Sequence, residues 1–327
     1  MTTNVRNIAV FTSGGDAPGM NACIRAVVRA GIYHKFKVFG VSDGFNGLID
    51  NKFELMPYTS VSNIISKGGT ILGTERSPRF REKKYRDIAY QNIKKRGIDT
   101  IVVIGGDGSY KGVKVFSDEF GVNFIGIPGT IDNDIYGSNY SIGFDTALNN
   151  IIEAIDKIRD TASSHHRIFL VEVMGNRSGV LALNSAIATG AEDVFIPERN
   201  EDLNIFENKI KKAYEFNKSS IIIVSEGDQI GGAKELYHYL AKKGMESKVR
   251  VAILGHIQRG GSPTYKDRMM ATEFGAKAIQ MIIDNDVNKL IGTKDGKIYS
   301  YTFTETITKQ LPNNYEALKL IKKISRY

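Results

Sequence analysis

The chain has 327 residues, of which 42% are hydrophobic and 24% charged, a composition that excludes a disordered protein and fits one large domain or two smaller ones. Its single cysteine, Cys23, allows no internal disulfide bond, and no apolar run reaches the ~18 residues that cross a bilayer. The net charge of +8 accompanies scattered lysines and no nucleic-acid-binding motif. We therefore expect a cytoplasmic protein that binds neither nucleic acid nor membrane.

Short apolar runs alternate with helical patterns along the chain. The predicted strands are residues 8–12, 37–41, 100–104, 124–127, 168–173, 221–224 and 249–254. The predicted helices are residues 20–34, 85–96, 145–163, 202–216, 234–243 and 266–284. Several strands are nearly continuous apolar runs, which suit parallel sheets covered on both faces. The alternation predicts an α/β fold, and the number of units favours two lobes with a break near residues 139–143.

Two glycine-rich loops in the first third of the chain follow predicted strands. The first, TSGGDAPGMN, has adjacent Gly14 and Gly15 before a helix N-terminus that favours an anion, although a plain tight turn explains it about equally well. The second, GGDGS, sets Asp107 among bare backbone amides before another helix. Asp107 there suits a Mg²⁺ ion shared with nucleotide phosphates, a helix N-cap, or both.

Further loops add carboxylates and cations. PGTIDND carries Asp132 and Asp134, which can divide the roles of general base and metal or orientation group; an Asx-turn cluster is the alternative. The later loop GHIQRGGSP joins His256 and Arg259 to three glycines, a set of donors that suits a phosphate ester. A lone His256 would more simply be a structural histidine. The neighbouring arginine and glycines favour ligand contact.

The motifs TSGGDAPGMN, GGDGS, PGTIDND, SSHHRI, VEVMG and LGHIQRGGSP occur in this order along nearly the whole chain. In this combination the sequence resembles bacterial ATP-dependent 6-phosphofructokinases. The resemblance implies two Rossmann-like α/β lobes with mainly parallel sheets: residues 1–142 with 257–307 for ATP, and 143–256 with 308–327 for fructose 6-phosphate. It also implies a glycolytic, allosteric homotetramer with shared active sites, in which the ATP γ-phosphoryl passes to the sugar 1-hydroxyl with Mg²⁺.

The resemblance assigns site residues position by position. The catalytic positions are Asp132 as base, Thr130, Asp134 and Arg177. The ATP positions are Gly15, Arg76, Ser77, Asp107, Gly108 and Ser109, with Asp107 as metal ligand. The sugar-phosphate positions are Thr130, Ile131, Asp132, Arg167, Met174, Gly175, Asn176, Glu226, Arg250, His256 and Arg259. Of these, the resemblance implies that Arg167 and Arg250 come from a neighbouring subunit.

The sequence departs from the family at one catalytic position. Where the family usually has an arginine, this chain has Asn176, and Arg177 follows one residue later. An arginine there would neutralise charge in the transition state. We expect the long, permanently charged Arg177 to take over this role; the alternative is an enzyme with one fewer cation.

The regulatory positions depart further. Family members bind ADP or phosphoenolpyruvate through a cluster of cations and a glutamate, which Arg25, Arg29, Arg159 and Glu192 match. Three other expected cations appear as Tyr58, Glu215 and Asn217. We therefore expect weak or absent control by ADP and phosphoenolpyruvate. The alternative is a shifted alignment in which a nearby lysine fills in, from Lys211, Lys212 and Lys218.

Two other functions compete with the ATP-dependent kinase. A pyrophosphate-dependent phosphofructokinase tends to carry an aspartate and a lysine where this chain has Gly108 and Gly129. These small residues leave room for the α-phosphate and nucleoside of ATP, so we expect ATP as the donor. A non-catalytic sensor would have lost the base or the metal carboxylate, and both Asp132 and Asp107 are present.

Overall fold

The computed structural model describes residues 6–309 and 315–324. The strands in this part are β1 (Asn7–Ser13), β2 (Lys37–Val41), β3 (Phe53–Leu55), β4 (Ile98–Gly105), β5 (Asn123–Pro128), β6 (Ile168–Val173), β7 (Asp193–Phe195), β8 (Ser220–Ser225), β9 (Val249–Ile253), β10 (Lys289–Lys294) and β11 (Lys297–Thr302). The helices are α1 (Met20–Tyr33), α2 (Gly44–Ile49), α3 (Lys83–Lys95), α4 (Asp107–Phe120), α5 (Phe144–His165), α6 (Val180–Thr189), α7 (Leu203–Glu215), α8 (Ala233–Ala241), α9 (Tyr265–Ile283), α10 (Phe303–Thr308) and α11 (Tyr315–Ile324).

Every predicted strand and helix is present, and each end agrees with the prediction to within two residues. The described residues fall into two compact units, residues 6–146 with 259–309 and residues 147–258 with 315–324. No helix within 6–309 or 315–324 is long and apolar enough to cross a membrane.

The first unit is built around a seven-stranded sheet in the order β11–β10–β5–β4–β1–β2–β3. The five central strands are parallel, and the edge strands β3 and β11 run antiparallel to their neighbours. Ser13 pairs with Gly105, and Gly105 pairs with Pro128. The last residues of β1, β4 and β5 are therefore level, so the three loops that follow leave the same edge of the sheet side by side.

The second unit contains a four-stranded parallel sheet in the order β7–β8–β6–β9. Val173 at the end of β6 pairs with Ser225 at the end of β8, so the loops after these strands also share one edge. Its core includes Leu170, Val224 and Phe206, all buried. Both sheets are mainly parallel with helices around them, which confirms the predicted α/β class.

Glu207 of α7 binds three side chains in the second unit. Lys211 donates to its Oε1 at 2.7 Å, and Lys243 and the Tyr239 hydroxyl contact its Oε2 at 3.0 and 2.9 Å. The hydrogen bonds from Lys211, Lys243 and Tyr239 lower the pKa of Glu207 from 4.5 to about 2. Since Tyr239 belongs to α8, this carboxylate ties α7 to α8.

Replacing Glu207 with glutamine is expected to lower the free energy of unfolding at neutral pH. The folded-state pKa lies below the unfolded value, so the carboxylate's stabilisation is full above about pH 4.5 and is lost as pH falls toward 2. Urea unfolding at neutral pH and near pH 3 measures the free energy of unfolding of the wild type and of the variant. The deficit of Glu207→Gln should shrink at the lower pH, and exposed Glu215→Gln on the same helix is the control. An equal deficit at both pH values would contradict this assignment.

Candidate active site

The loop after β1 exposes backbone beside an arginine. Gly14 has φ +90°, and its carbonyl accepts a hydrogen bond from Thr74 Oγ1 at 2.8 Å. A Cβ on Gly15 would lie 2.6 Å from Nη1 of Arg259, whose guanidinium donates to the Asp16 carbonyl at 3.0 Å. The resemblance assigned Arg259 to the sugar phosphate, and within the first unit its guanidinium lies against the glycine loop assigned to ATP.

The segment that leads to Arg76 and Ser77 is held to α1 and α2 by side chains that the sequence did not single out. Buried Asn21 donates to the Lys67 and Gly68 carbonyls, both at 3.1 Å, and accepts from Ile71 N–H at 2.7 Å. Ser77 Oγ donates to Asn46 Oδ1 at 2.6 Å, and Arg76 is exposed. Asn21 therefore positions the chain that leads to the two predicted ATP contacts.

The loop after β4 leads directly into α4. Gly105 has no room for a side chain, because a Cβ would lie 2.7 Å from both the Ser13 carbonyl and Ser109 Oγ. Gly106 is the N-cap of α4 and Asp107 is its first residue, so the N-cap role considered for Asp107 is wrong. The half-buried Asp107 carboxylate instead pairs with Lys111 at 2.5 Å. Gly108 is exposed, with open space where a Cβ would be.

The loop after β5 holds the two predicted catalytic carboxylates. Thr130 Oγ1 accepts from the Asp132 N–H at 3.2 Å, and Ser141 Oγ donates to the Thr130 carbonyl at 2.6 Å. Asn133 has φ +50°, is 8% exposed and accepts from the Ser141 N–H at 2.7 Å. Asn133 therefore fixes the turn that separates Asp132 from Asp134. Ile131, assigned to the sugar, is fully buried.

The carboxylates of the first unit influence one another. Burial raises the pKa of Asp134, the hydrogen bond with its own backbone lowers it, and the negative charge of Asp107 raises it further. Lys111, which pairs with Asp107, acts in the opposite direction. Two carboxylates on neighbouring loops thus repel each other, an arrangement that a bound cation would relieve.

In the second unit, the loops after β6 and β8 are in contact. The Asn176 N–H donates to Glu226 Oε1 at 3.0 Å, and a Cβ on Gly227 would lie 1.6 Å from the Asn176 carbonyl oxygen. Gly175 has φ +139° and Asn176 has φ +51°, so the loop makes a sharp turn here. Arg177 follows on this turn with an exposed side chain.

The chain after β9 is joined to the loop after β6 by a buried glutamine. Gln258 is fully buried, accepts from the Met174 N–H at 3.1 Å and donates to the Gly255 carbonyl at 2.9 Å. His256 lies in the same 3₁₀ turn, Gly255–Arg259, and is exposed. The sequence singled out His256, whereas Gln258 makes the contacts that position Met174.

Arg167 and Arg250 lie at the opposite end of the second sheet. Arg167 directly precedes β6, and Arg250 is the second residue of β9. Nη1 of Arg250 donates to the carbonyls of Glu246, Ser247 and Val249 at 3.3, 3.1 and 2.7 Å. Within the second unit these arginines therefore lie away from Glu226, which follows the carboxyl end of β8.

The predicted regulatory residues contact groups within their own units. The guanidinium of Arg29, on the same helix as Arg25, lies over the Tyr58 ring at 4.2 Å. In the second unit, Arg159 Nη2 donates to the Thr189 carbonyl at 2.8 Å, and its Nη1 is 3.7 Å from Glu192 Oε1. Elsewhere in that unit, Lys248 binds the Asn217 side chain, and Glu215 is exposed.

The Phosphofructokinase family matches the chain over residues 7–282. The chain belongs to the phosphofructokinase family. Among its curated relatives, ATP-dependent 6-phosphofructokinase 2 of Bacteroides thetaiotaomicron is 47% identical, over 98% of this chain and 99% of the relative. The ATP-dependent 6-phosphofructokinase of Cytophaga hutchinsonii is 46% identical, over 98% of both chains. These relatives support the ATP-dependent branch of the family rather than the pyrophosphate-dependent one.

Solved structures agree with the family assignment. The phosphofructokinase of Saccharomyces cerevisiae has a TM-score of 0.86 at 35% identity, covering 98% of this chain and 47% of that one. This chain thus spans about half the length of the yeast chain. A pyrophosphate-dependent phosphofructokinase from Marinobacter aquaeolei has a TM-score of 0.83 at 19% identity, which shows a shared fold only.

Proposed function

We propose that this protein transfers the γ-phosphoryl group of ATP to the 1-hydroxyl of fructose 6-phosphate. The observation that carries the proposal is the level alignment of β1, β4 and β5, whose following loops bring bare glycine backbone, Asp107 and Asp132 to one sheet edge. Phosphoryl transfer needs positioned phosphates, neutralised charge and a base for the hydroxyl proton. The first unit supplies groups that meet all three requirements. The names of the curated relatives specify the substrates.

The residues of the first unit divide the work as follows. Backbone N–H groups of the loops after β1 and β4 bind phosphate oxygens, and the positive charge of Arg259 lies beside them. Asp132 accepts the proton of the sugar 1-hydroxyl. Thr130, whose Oγ1 accepts a hydrogen bond from the Asp132 N–H, holds the transferring group. Asp134 orients the site. In the second unit, Met174, Asn176, Glu226 and His256 bind the sugar phosphate.

The proposal includes a Mg²⁺ ion bound with ATP. Mg²⁺ prefers oxygen ligands and usually takes one or two carboxylates, with phosphates and water completing its shell. Asp107 supplies such a carboxylate, and its charge already raises the pKa of nearby Asp134. The described residues contain no cluster of three or more metal-binding side chains, which fits a metal held largely by the nucleotide. When bound, the ion neutralises phosphate charge.

Two small residues, Gly108 and Gly129, support ATP rather than pyrophosphate as the phosphoryl donor. Gly108 is exposed with open space around it, so a nucleoside can extend past α4. A Cβ on Gly129 would already lie 2.9 Å from Ile104 Cγ2 and 3.1 Å from Met20 Cε, so a lysine there would require repacking. A coupled assay of purified protein with ATP, GTP or pyrophosphate tests this. Activity with pyrophosphate and none with ATP would refute the proposal.

Arg177 is proposed to supply the charge that Asn176 lacks. Its side chain is exposed, and the preceding turn is fixed by the hydrogen bond from Asn176 to Glu226. Arginine is long and permanently charged, which suits Arg177 to this role. The proposal further includes a cytoplasmic location, which the single cysteine supports because it fits a reducing compartment.

We propose that the active form is a homotetramer with shared sites. The support is the location of Arg167 and Arg250 at the amino end of the second sheet, away from the other sugar-phosphate residues of that unit. A cation at this end is available to a second copy of the chain.

Arg250→Ala is expected to raise KM for fructose 6-phosphate about 10- to 150-fold, because a charge-assisted hydrogen bond contributes roughly 1.5–3 kcal/mol. KM for ATP should change little. Steady-state kinetics with each substrate varied in turn measure both values. Lys242→Ala, which removes an exposed cation in the same unit, is the control. Equal increases in both KM values would contradict the assignment of Arg250.

A further inference from the structure

The first unit contains a cavity of about 430 Å³ that the proposed reaction does not use. It is lined by α9, the β10–β11 hairpin and the chain that follows the PGTIDND loop. The lining residues that matter here are Tyr140, Tyr265, Met269, Met270, Glu273 and Asp295. Small-molecule pockets in proteins usually measure ~300–1,000 Å³, so the cavity can hold one compact ligand.

The apolar part of this lining favours a flat aromatic group. Tyr265 is 79% exposed, Met269 43% and Tyr140 37%, so three large apolar side chains around one cavity face solvent. Clustered exposed apolar side chains mark binding surfaces more often than isolated ones do. Tyrosine rings offer flat stacking surfaces, and methionine thioethers adapt to the outline of a ring.

The charged part of the lining selects against phosphates. The only lysine in the lining, Lys266, has its ammonium 3.3 Å from the Tyr140 ring centroid and 3.6 Å from Asp145 Oδ1. Its charge is therefore already engaged. Glu273 and Asp295 are exposed carboxylates that accept hydrogen bonds only. The cavity thus attracts amino groups and positive charge, and repels a nucleotide's phosphates.

We propose that this cavity binds a planar heteroaromatic molecule that carries amino groups or positive charge and no phosphate. The ring system stacks on Tyr265 and contacts Met269, and the amino groups donate to Glu273 and Asp295. This ligand class differs from both proposed substrates, which are polyanions. The site also uses none of the residues assigned to ATP or to the sugar phosphate.

The cavity is joined to the catalytic loop by Asn139, which lines it. The Asn139 N–H donates to the Thr293 carbonyl at 2.7 Å, and its Oδ1 accepts from the Asp295 N–H at 3.2 Å. Its carbonyl accepts from Asn133 Nδ2 at 3.0 Å, and Asn133 lies between Asp132 and Asp134. A ligand that moves the hairpin or Asn139 therefore changes kcat, a consequence that rests on the proposed function.

Binding is tested with proflavine, a fluorescent planar cation that carries two amino groups, titrated into the full-length protein with excess ATP to fill the nucleotide site. The expected result is saturable fluorescence quenching. Tyr265→Ala should weaken it about 2- to 10-fold through lost stacking. Glu273→Gln combined with Asp295→Asn should weaken it about 10-fold or more through lost charge-assisted bonds.

Two controls complete this test. Tyr33→Ala removes another exposed tyrosine of the first unit, 83% exposed, and should leave proflavine affinity unchanged. The anionic dye 1-anilinonaphthalene-8-sulfonate should bind more weakly than proflavine. Unchanged affinity in both cavity variants, or preference for the anionic dye, would overturn the site; unchanged kcat at saturating proflavine would overturn the coupling. Since binding needs no catalysis, an inactive protein that binds proflavine would refute only the proposed kinase function.

Discussion

Asp132→Asn is expected to lower kcat about 100- to 10,000-fold, the usual contribution of a general base. Asparagine keeps the size and shape of the side chain but cannot accept the proton of the sugar hydroxyl. The backbone contact of this residue, the hydrogen bond from its N–H to Thr130 Oγ1, remains available in the variant. KM for fructose 6-phosphate and for ATP should therefore change only slightly, and kcat and kcat/KM should fall together.

The control for this variant is Asp118→Asn, which makes the same chemical change on the exposed side of α4. It should retain full activity. Circular dichroism and thermal unfolding of both variants establish that the fold is intact. A kcat of Asp132→Asn near the wild-type value would remove Asp132 from the role of base, and the other carboxylate of the loop, Asp134, would then be the next to test.

ADP and phosphoenolpyruvate are expected to bind the regulatory positions at least about a hundredfold more weakly than a complete cation cluster would bind them. Each lost charge-assisted contact costs on the order of 1–3 kcal/mol, and three expected cations are replaced by Tyr58, Glu215 and Asn217. The ring of Tyr58 also covers one face of the Arg29 guanidinium at 4.2 Å. Initial rates measured over a range of phosphoenolpyruvate should therefore stay flat, and ADP, a product of the proposed reaction, should act only as a competitor of ATP.

A gain-of-function variant makes this prediction sharper. Tyr58→Arg combined with Glu215→Lys restores two cations at exposed positions and should create a response to phosphoenolpyruvate. Glu235→Lys, which reverses an exposed charge on α8, should create none. Strong inhibition of the wild-type enzyme by sub-millimolar phosphoenolpyruvate, abolished by Arg159→Ala, would contradict the prediction and show that another residue, such as Lys218, fills the gap.

Hydrophobic pattern was sufficient to predict the strands and helices that form the centre of each unit. Runs such as TIVVI and SIIIV are buried on both faces, so their composition leaves little ambiguity. The pattern failed at the short edge strands β3 and β7 and at the hairpin strands β10 and β11, and it gave no bounds for helices α2, α4, α6, α10 and α11. In β11 the adjacent Ile298 and Tyr299 break the alternation of apolar and polar residues, and none of the six residues is buried. Pairing with β10 rather than burial makes this segment a strand.

Motifs predicted which loops form the candidate site but not the side chains that hold those loops in place. Asn21, Asn133 and Gln258 all lie within the motifs, yet their hydrogen bonds join segments that sequence spacing cannot bring together. The one signal that the sequence offered for these three residues was an uncharged amide side chain placed among apolar residues or next to a turn. The separation of Arg250 from Glu226 within the second unit likewise depends on which end of a strand each occupies.

Transfer of the γ-phosphoryl of ATP to the 1-hydroxyl of fructose 6-phosphate creates a new phosphate ester at carbon 1 of the sugar. Phosphorus NMR of the purified enzyme with both substrates and Mg²⁺ observes this transfer directly. We expect ADP and a second sugar phosphate ester, coupled to the protons of carbon 1, to appear in equal amounts. Free phosphate in place of the new ester, or an ester at any other carbon, would contradict it.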